Sequence, residues 1–236
     1  MKKMDLKADL KGMSMKLGVD LFGVTPVAAL NDAPQGHRPL DILPKANSII
    51  VLAMKMLDAQ VDILPIKGEF FGVSSRQDMF KGHNYFISQE LDRIGFALAR
   101  FLEKKGFRAY HQMASTGGTD KRFLMGLLSL KHIAVQAGLG VLGQNSLLLT
   151  PQFGPRVRLT AIVTDADIQP DTLMEENFCQ ACGNHCISSC PAKALELPDV
   201  DTPYKINKYA CQQYLTTRPT CSVCLKVCPV GKERIK

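Results

Sequence analysis

The chain has 236 residues, of which 46% are hydrophobic and 22% are charged. These values exclude a disordered chain and a fibrous repeat, and the length suits one large domain or a domain with a small appendage. The formal charge of +7 does not by itself indicate nucleic-acid binding, because lysine and arginine are spread along the chain and the five tyrosines are not interleaved with them.

The pattern of apolar residues predicts helices and strands alternating along the first 170 residues. The predicted helices cover 6–17, 84–105 and 127–137, and the predicted strands cover 21–25, 48–56, 107–112 and 156–164. The continuous apolar run at 48–56 predicts a strand buried on both faces, whereas 156–164 alternates apolar and polar residues as a half-buried strand does. With the proline-containing stretch 31–45 as a loop, these elements predict an α/β (α+β) layered domain.

The cysteines divide the chain in two. All eight lie between Cys179 and Cys228, and the first 178 residues contain none. We therefore predict an α/β body over 1–170 and a compact segment over 171–236 that is organised by metal ligands. No stretch approaches the roughly 18 uninterrupted apolar residues that cross a bilayer, and no signal peptide or twin-arginine leader is visible, which predicts a cytoplasmic protein without a membrane partner.

The spacing of the cysteines is the most specific signal in the sequence. The first run is Cys179, Cys182, Cys186 and Cys190 followed by Pro191, and the second set is Cys211, Cys221, Cys224 and Cys228 followed by Pro229. In two-cluster bacterial ferredoxins, a C-x2-C-x2-C-x3-C-P run gives three ligands to one 4Fe–4S cluster and the fourth to the other. The same crossing assigns one cluster to Cys179, Cys182, Cys186 and Cys228, and the other to Cys190, Cys211, Cys221 and Cys224.

Some details depart from that pattern, so alternatives stay open. The first run has three residues rather than two between its second and third cysteines, and Cys211 comes from well upstream of its partners. Disulfides are disfavoured by the missing signal peptide. Two zinc sites would suit the C-x2-C pairs but do not call for C-x3-C-P twice. His185 is interpreted as a loop residue or a hydrogen-bond donor to sulfur, since eight cysteines already saturate two clusters.

A glycine-spaced turn precedes the last predicted strand of the body. Gly138, Gly140 and Gly143 expose backbone that a flat or phosphate-bearing ligand could approach closely. They follow a predicted helix rather than a strand, so the turn does not have the order of a dinucleotide-binding fingerprint. A purely structural turn explains these glycines equally well.

Residues 137–159, AGLGVLGQNSLLLTPQFGPRVRL, together with the cysteine runs, resemble the cobalamin-dependent iron–sulfur reductases, which include epoxyqueuosine reductases and reductive dehalogenases. Segments at 17–26, 43–56 and 101–110 extend the resemblance over nearly the whole chain. It implies a nitroreductase-like domain that holds base-off cobalamin, fused to a ferredoxin-like domain whose nearer cluster reduces the cobalt. A cobalamin would then lie between the body and the cysteine segment.

By position in this family, the 138–145 turn and the 150–155 loop would face the corrin. The implied cofactor-binding residues are Gly138, Gly140, Gly143, Asn145, Thr150 and Gly154. The apolar walls of the site could come from Leu142, Pro151 and Phe153. His132 is interpreted as a core residue rather than a cobalt ligand.

The chain also departs from the family. The acid that supplies a proton about a dozen residues before the glycine turn is missing, because 122–131 contains none. Asp120, Tyr85 and Tyr110 are the nearest candidates by residue type, but each is interpreted as a loop or packing residue. The chain ends eight residues after Cys228, without the helical-repeat extension that binds transfer RNA, so nucleic acid is not an expected partner.

Two functions follow from these observations. The first is a reductase that takes electrons from an external ferredoxin-like or flavodoxin-like donor and passes them to cobalamin or a small-molecule substrate. The second is a non-catalytic ferredoxin-like electron-transfer protein that keeps the family scaffold. Transfer-RNA binding through basic residues is the least supported reading of the sequence.

Overall fold

A computed structural model describes residues 5–64, 73–115, 122–180, 182–216 and 220–232. The chain forms two compact units, each assembled from three separated segments. Unit 1 consists of Met1–Met54, Ile87–Leu139 and Arg158–Met174, and unit 2 consists of Lys55–Phe86, Gly140–Val157 and Glu175–Lys236.

Helices and strands are mixed along the chain, so the predicted combination of both is confirmed. The helices are α1 (Leu6–Lys16), α2 (Pro39–Ile42), α3 (Asp58–Asp62), α4 (Val73–Lys104), α5 (Leu130–Gln136), α6 (His185–Ser188), α7 (Lys208–Thr216) and α8 (Val223–Lys226). The strands are β1 (Leu21–Pro26), β2 (Ser48–Lys55), β3 (Ala109–Gln112), β4 (Val141–Leu142), β5 (Leu148–Leu149), β6 (Val157–Thr164), β7 (Leu195–Glu196) and β8 (Lys205–Ile206).

The largest sheet has the strand order β1-β2-β6-β3. β1 pairs antiparallel with β2, and β3 pairs antiparallel with β6. Residues 48–53 of β2 are all buried, which confirms the prediction of a strand covered on both faces. Two small antiparallel pairs, β4 with β5 and β7 with β8, belong to unit 2.

The burial predicted for the last strand of the body was wrong. Thr160 and Thr164 of β6 are fully buried, because β6 lies between β2 and β3 in the sheet. Their hydroxyl groups donate hydrogen bonds to the backbone oxygens of Gln112 (2.7 Å) and Arg108 (2.8 Å). The threonines in this alternating pattern therefore do not mark a face exposed to solvent. They are buried, and their hydroxyl groups bond to backbone oxygens.

Two helices differ from their predicted extent. α4 begins at Val73 rather than near residue 84, because buried Gln77 and Phe80 continue its inner face through a mostly polar stretch. The predicted loop 31–45 contains the short helix α2. Pro39 occupies its first position, and the carboxylate of Asp41 accepts hydrogen bonds from the backbone N–H groups of Gly36 (2.7 Å) and Arg38 (3.1 Å).

The first helix confirms its prediction closely. The side chain of Asp5 caps α1 by accepting hydrogen bonds from the N–H groups of Lys7 and Ala8, and Leu10 packs fully buried on its inner face. Gly18 follows its last turn with a φ of +99°, a conformation that glycine adopts freely. Among the helices of the described residues, including the 32-residue α4, none combines the length and the apolarity needed to span a bilayer.

Candidate metal centres

Two short turns in unit 2 carry cysteines in the same arrangement. Asn184 and Ser222 each adopt a left-handed backbone, with φ near +56°, and each immediately precedes a four-residue helix, α6 or α8. The second residue of each helix is a cysteine, Cys186 or Cys224, and a C-x3-C-P sequence follows in both. The two helices pack against each other. The sequence did not predict this repeated backbone conformation, because Asn184 and Ser222 are residues of different types.

Most of the remaining cysteines are close to these turns in the sequence. Cys211 is the exception, because it lies in α7. Cys179 and Cys182 precede α6, Cys221 precedes α8, and Cys211 lies within α7. Cys186 and Cys228 are buried, and the other six are half-buried. All eight are described, and all are thiols rather than disulfides.

Mutual electrostatic effects separate the thiols into two sets. Burial first, and then the nearby thiols of Cys179, Cys186 and Cys182, together raise the pKa of Cys228 to about 11. The pKa values of Cys179 and Cys186 are raised first by burial and then by thiols of this same set. We call the four residues Cys179, Cys182, Cys186 and Cys228 the first thiol set.

The other four cysteines influence one another in the same way. The pKa of Cys224 is raised to about 12, mainly by burial and then by the thiols of Cys221, Cys211, Cys190 and, last, Cys186 of the first set. The pKa of Cys211 is raised by burial and then by Cys221 and Cys190. We call Cys190, Cys211, Cys221 and Cys224 the second thiol set. Each set thus includes one cysteine from the other sequence run, and the assignment of one cluster to each set stays a prediction.

A zinc ion and an iron–sulfur cluster place different demands on four cysteine ligands. No group of three histidine, cysteine, aspartate or glutamate side chains among the described residues could hold one ion. A structural zinc site would need four sulfurs about 2.3 Å from one metal centre. A cluster separates its ligands because each cysteine binds a different iron. Metal and acid-labile sulfide content therefore distinguish the two.

Backbone N–H groups point at several sulfurs. The N–H of Gln144 lies 3.5 Å from the Cys179 sulfur, and that of Ala194 lies 3.3 Å from the Cys190 sulfur. The N–H of Val230 also bonds the Cys228 sulfur and lowers its pKa against the effect of burial. Hydrogen bonds of this kind favour the thiolate form, which is the form that binds metal.

The glycines of the predicted turn lie against protein backbone. A methyl group built on Gly138 in unit 1 would lie 2.2 Å from the carbonyl oxygen of Thr172. One built on Gly140 in unit 2 would lie 2.1 Å from that of Leu149, and Gly143 approaches the side chain of the same leucine. Asn145 is buried in this turn, where its side-chain oxygen accepts the N–H of Leu147 (3.1 Å). These residues shape the turn itself.

The neighbouring loop closes on itself in a similar manner. The backbones of Thr150 and Gly154 exchange two hydrogen bonds, of 3.0 and 2.8 Å, and the buried Thr150 hydroxyl accepts the N–H of Phe153 (3.1 Å). A methyl group on Gly154 would lie 2.0 Å from the carbonyl oxygen of Val230. This loop is therefore held against the residues that follow Cys228, a member of the first thiol set.

Comparison with known proteins shows which proteins the chain is similar to. No family model matches the chain. Epoxyqueuosine reductase of Bacillus subtilis is 24% identical to it, over 97% of the chain and 64% of the relative. Tetrachloroethene reductive dehalogenase of Dehalobacter restrictus is 37% identical over 43% of the chain and 17% of the relative. The chain is a relative of these oxidoreductases. It spans less than two thirds of the length of either relative.

Solved structures of the same two kinds share its fold. An epoxyqueuosine reductase solved with an epoxyqueuosine-modified tRNA stem loop superposes with a TM-score of 0.63 at 22% identity, covering 96% of the chain and 65% of that structure. A reductive dehalogenase whose structure suggests a mechanism for B12-dependent dehalogenation gives 0.69 at 20% identity, covering 93% of the chain and 31% of that structure. At these identities the likeness concerns the fold.

For a relative of these reductases, the most distinctive feature that sequence reasoning missed is a group of buried glutamine oxygens in unit 2. The side-chain oxygens of Gln60, Gln144 and Gln152 are buried and have no hydrogen-bond partner among the described residues. Gln144 and Gln152 lie in the turn and the loop just described. Their residue type is unremarkable in the sequence, so only the surroundings in the folded chain reveal them.

The side chains that the sequence suggested as proton donors or metal ligands lie in different surroundings. Asp120 lies outside the described residues, and the side chain of Tyr85 is exposed. Burial raises the pKa of Tyr110 on β3. His132 on α5 lies 2.5 Å from the Ser129 hydroxyl, and burial, then the neighbouring Lys131, lowers its pKa. His185 is an exposed residue that begins α6.

The proposed apolar wall residues Leu142, Pro151 and Phe153 are half-buried, and the ammonium group of Lys55 lies 5.8 Å from the centre of the Phe153 ring. These side chains therefore have both packed and accessible surface. Such a mixture is compatible with the border of a ligand site and with ordinary packing.

A network of ion pairs beside the 150–155 loop holds α3 in place within unit 2. The guanidinium of Arg156, which is 1% exposed, contacts Asp58 at 2.7 Å and Asp62 at 2.8 Å. Lys55 also pairs with Asp58 at 2.5 Å. Burial opposes ionisation of Asp58, but hydrogen bonds from Lys55 and Arg156 outweigh it, so the pKa of this carboxyl is lowered.

Proposed function

We propose that the chain is a reductase that carries two 4Fe–4S clusters and passes electrons to a bound cobalamin or to a small substrate. The observation that carries this proposal is the grouping of eight thiols into two sets of four. A 4Fe–4S cluster takes four cysteine thiolates, so both sets have the ligand type and number for one cluster each. Bound clusters would supply one-electron transfer.

In this proposal, the first thiol set holds one cluster and the second thiol set holds the other. The backbone N–H groups of Gln144 and Ala194 would donate hydrogen bonds to ligand sulfurs. Such hydrogen bonds and the burial of Cys186 and Cys228 are among the factors that tune a cluster's reduction potential.

The proposed organisation is a nitroreductase-like layered body over 1–170, with a possible cobalamin or substrate site, and a ferredoxin-like domain with two clusters over 171–236. The four-stranded sheet β1-β2-β6-β3 falls within the first range. The duplicated cysteine turns at α6 and α8 fall within the second and support a ferredoxin-like arrangement there.

Cobalamin is the cofactor proposed for the reducing step, and when bound it would supply a reducible cobalt centre. One fold neighbour is described in terms of B12-dependent dehalogenation, which supports this choice. The glycines at 138, 140, 143 and 154 would contribute by letting the two loops pack tightly, while Asn145 and Thr150 maintain the loop conformations. Leu142, Pro151 and Phe153 would form an apolar border for a flat ring.

The electron donor in this proposal is an external ferredoxin-like or flavodoxin-like protein, and the substrate is a small molecule. A cytoplasmic location is proposed because eight unbridged thiols suit a reducing compartment. The sequence argued against a nucleic-acid partner, but the epoxyqueuosine reductase solved with a tRNA stem loop favours RNA as a second candidate substrate.

Anaerobic purification from a host supplied with cobalamin tests the cofactor content. We expect about eight irons, a similar amount of acid-labile sulfide and one corrinoid per chain. About eight irons without corrinoid uptake would instead support the non-catalytic ferredoxin-like electron-transfer protein. A zinc content near two without labile sulfide would overturn the cluster assignment.

A further inference from the structure

One ligand of the second thiol set lies on a helix that buries none of its own side chains. α7 is nine residues long, all of them described, and each is half-buried or exposed. Helices shorter than about 12–15 residues are marginal in water by themselves, and in proteins they are stabilised mainly by packing one face. The stability of α7 therefore depends on a few particular attachments.

The first attachment is Cys211, the fourth residue of α7. Its N–H donates a hydrogen bond to the backbone oxygen of Asn207 (3.1 Å), so the cysteine lies in the first turn of the helix. Cys211 belongs to the second thiol set together with Cys190, Cys221 and Cys224. A cluster in this set would bond α7 to segments far from it in the sequence.

The second attachment leads to the same thiol set. The N–H of Asn207, just before α7, donates to the carbonyl oxygen of Ala194 (2.8 Å), and the Asn207 side-chain oxygen accepts the N–H of Ala210 (3.0 Å). Ala194 is buried, and its own N–H lies 3.3 Å from the Cys190 sulfur. The start of α7 is thus joined to the neighbourhood of a second ligand of the same set.

The other two cysteine-bearing helices of the described residues have apolar packing of their own. α6 and α8 pack against each other, and α8 also packs against α3. The side chains of Cys186 on α6 and of Val223 and Leu225 on α8 are buried. These helices therefore have support that α7 lacks.

We propose that occupation of the second thiol set by its cluster determines whether α7 is folded. Without that cluster, residues 208–216 lose their strongest attachment and unfold locally, while α6 and α8 remain packed. Loss of this one cluster would then expose the segment to proteases, so that cluster-free chains become susceptible to cleavage there. This inference rests on the proposed function, because it requires a 4Fe–4S cluster in the second thiol set.

Two matched pairs of substitutions test the inference without altering α7. Cys221→Ala with Cys224→Ala removes a C-x2-C pair from the second thiol set, and Cys179→Ala with Cys182→Ala removes the equivalent pair from the first. Both full-length variants are purified anaerobically, and each should retain about four irons. Hydrogen exchange followed by mass spectrometry then measures the protection of amides 211–216.

We expect exchange at 211–216 to be at least about tenfold faster in the variant lacking Cys221 and Cys224 than in the wild type. In the variant lacking Cys179 and Cys182, exchange of these amides should match the wild type. Chymotrypsin, which cleaves after tyrosine, should cut within α7 faster in the second-set variant only. Exchange in α1 should be the same in all three proteins, which shows that the rest of the fold is intact.

The outcomes separate the inference from the function on which it rests. Equal protection of 211–216 in the wild type and in the second-set variant would overturn the inference, because α7 would then be stable without the cluster. Equal loss of protection in both variants would also overturn it, since the effect would be a general destabilisation of unit 2. A wild type that carries no iron and no labile sulfide after anaerobic purification would instead contradict the proposed function itself.

Discussion

Gly154 and Val230 meet backbone to backbone, so closely that a methyl group on Gly154 would lie 2.0 Å from the Val230 carbonyl oxygen. Gly154 also has a φ of +54°, in the left-handed region that disfavours side chains. Since Val230 follows Cys228 and bonds its sulfur, this contact couples the 150–154 loop to the first thiol set. A side chain at position 154 has to displace the segment that positions that ligand.

Gly154→Ala should therefore impair both stability and metal content. We expect a loss of at least about 1–3 kcal/mol in the free energy of unfolding and less iron per chain after anaerobic purification. Gly12→Ala is the matched control, because Gly12 lies exposed in α1 with no atom near its missing side chain, and it should raise stability by up to about 1 kcal/mol. Denaturant unfolding and iron analysis compare the two variants. Equal unfolding free energies and equal iron contents would contradict the proposed coupling.

Pairs of cysteine substitutions report which thiols share a cluster. Cys190→Ala combined with Cys211→Ala removes two ligands from the second thiol set, so about four irons should remain on the chain. Cys190→Ala combined with Cys186→Ala removes one ligand from each set and should leave almost none.

Iron and labile sulfide analysis, with paramagnetic resonance of the reduced proteins, measures this difference. Circular dichroism confirms that both variants are folded. Retention of about four irons by the variant lacking Cys186 and Cys190, with loss of nearly all iron when Cys190 and Cys211 are replaced, would assign the clusters to the uncrossed sequence runs.

The two aspartates that hold Arg156 should differ in their contribution to stability. Asp58 is mostly buried, with 18% of its side chain exposed, whereas Asp62 is 53% exposed. Asp58→Asn leaves a buried guanidinium without a full counter-charge and should cost about 3 kcal/mol. Asp62→Asn should cost less than about 1 kcal/mol, because water screens that pair. Chemical denaturation at neutral pH tests the order, and a larger loss for Asp62→Asn would refute it.

His111 should make the stability depend on pH. Burial lowers its pKa below the ordinary value of 6.5, although the nearby Asp92 opposes that effect. Below pH 6.5 the unfolded chain then binds a proton that the folded chain does not, so stability falls as the pH drops towards the folded pKa. The loss from this one residue is at most about 1.4 kcal/mol per pH unit.

Comparison of wild type and His111→Gln by denaturant unfolding between pH 5.5 and 8 isolates this contribution. The difference in unfolding free energy between the two proteins should be constant above pH 6.5 and should shift against the wild type below it. Part of the acid sensitivity should persist in the variant, because burial also lowers the pKa values of His83 and His132. Parallel pH profiles would show that His111 does not contribute.

Local patterns in the sequence were sufficient to predict much of the fold. The periodicity of Leu6 and Leu10 identified α1, and the apolar run that begins at Ser48 identified β2. Such patterns work because the repeat of a helix or a strand is imposed on neighbouring residues. They missed the start of α4, whose first turns are mostly polar, and they predicted β6 but not its burial, because Thr160 and Thr164 resemble surface residues.

The sequence by itself determined the residue type and spacing of the candidate ligands, because cysteine at this density is typical of metal binding. The spacing also suggested that Cys228 groups with Cys179 and Cys190 with Cys211, and in the folded chain these pairs lie close enough for their charges to interact. Only the tertiary structure decided that the side-chain oxygens of Gln144 and Gln152 lack donors among the described residues. Whether a polar atom is satisfied depends on every group packed around it, and no local pattern encodes those neighbours.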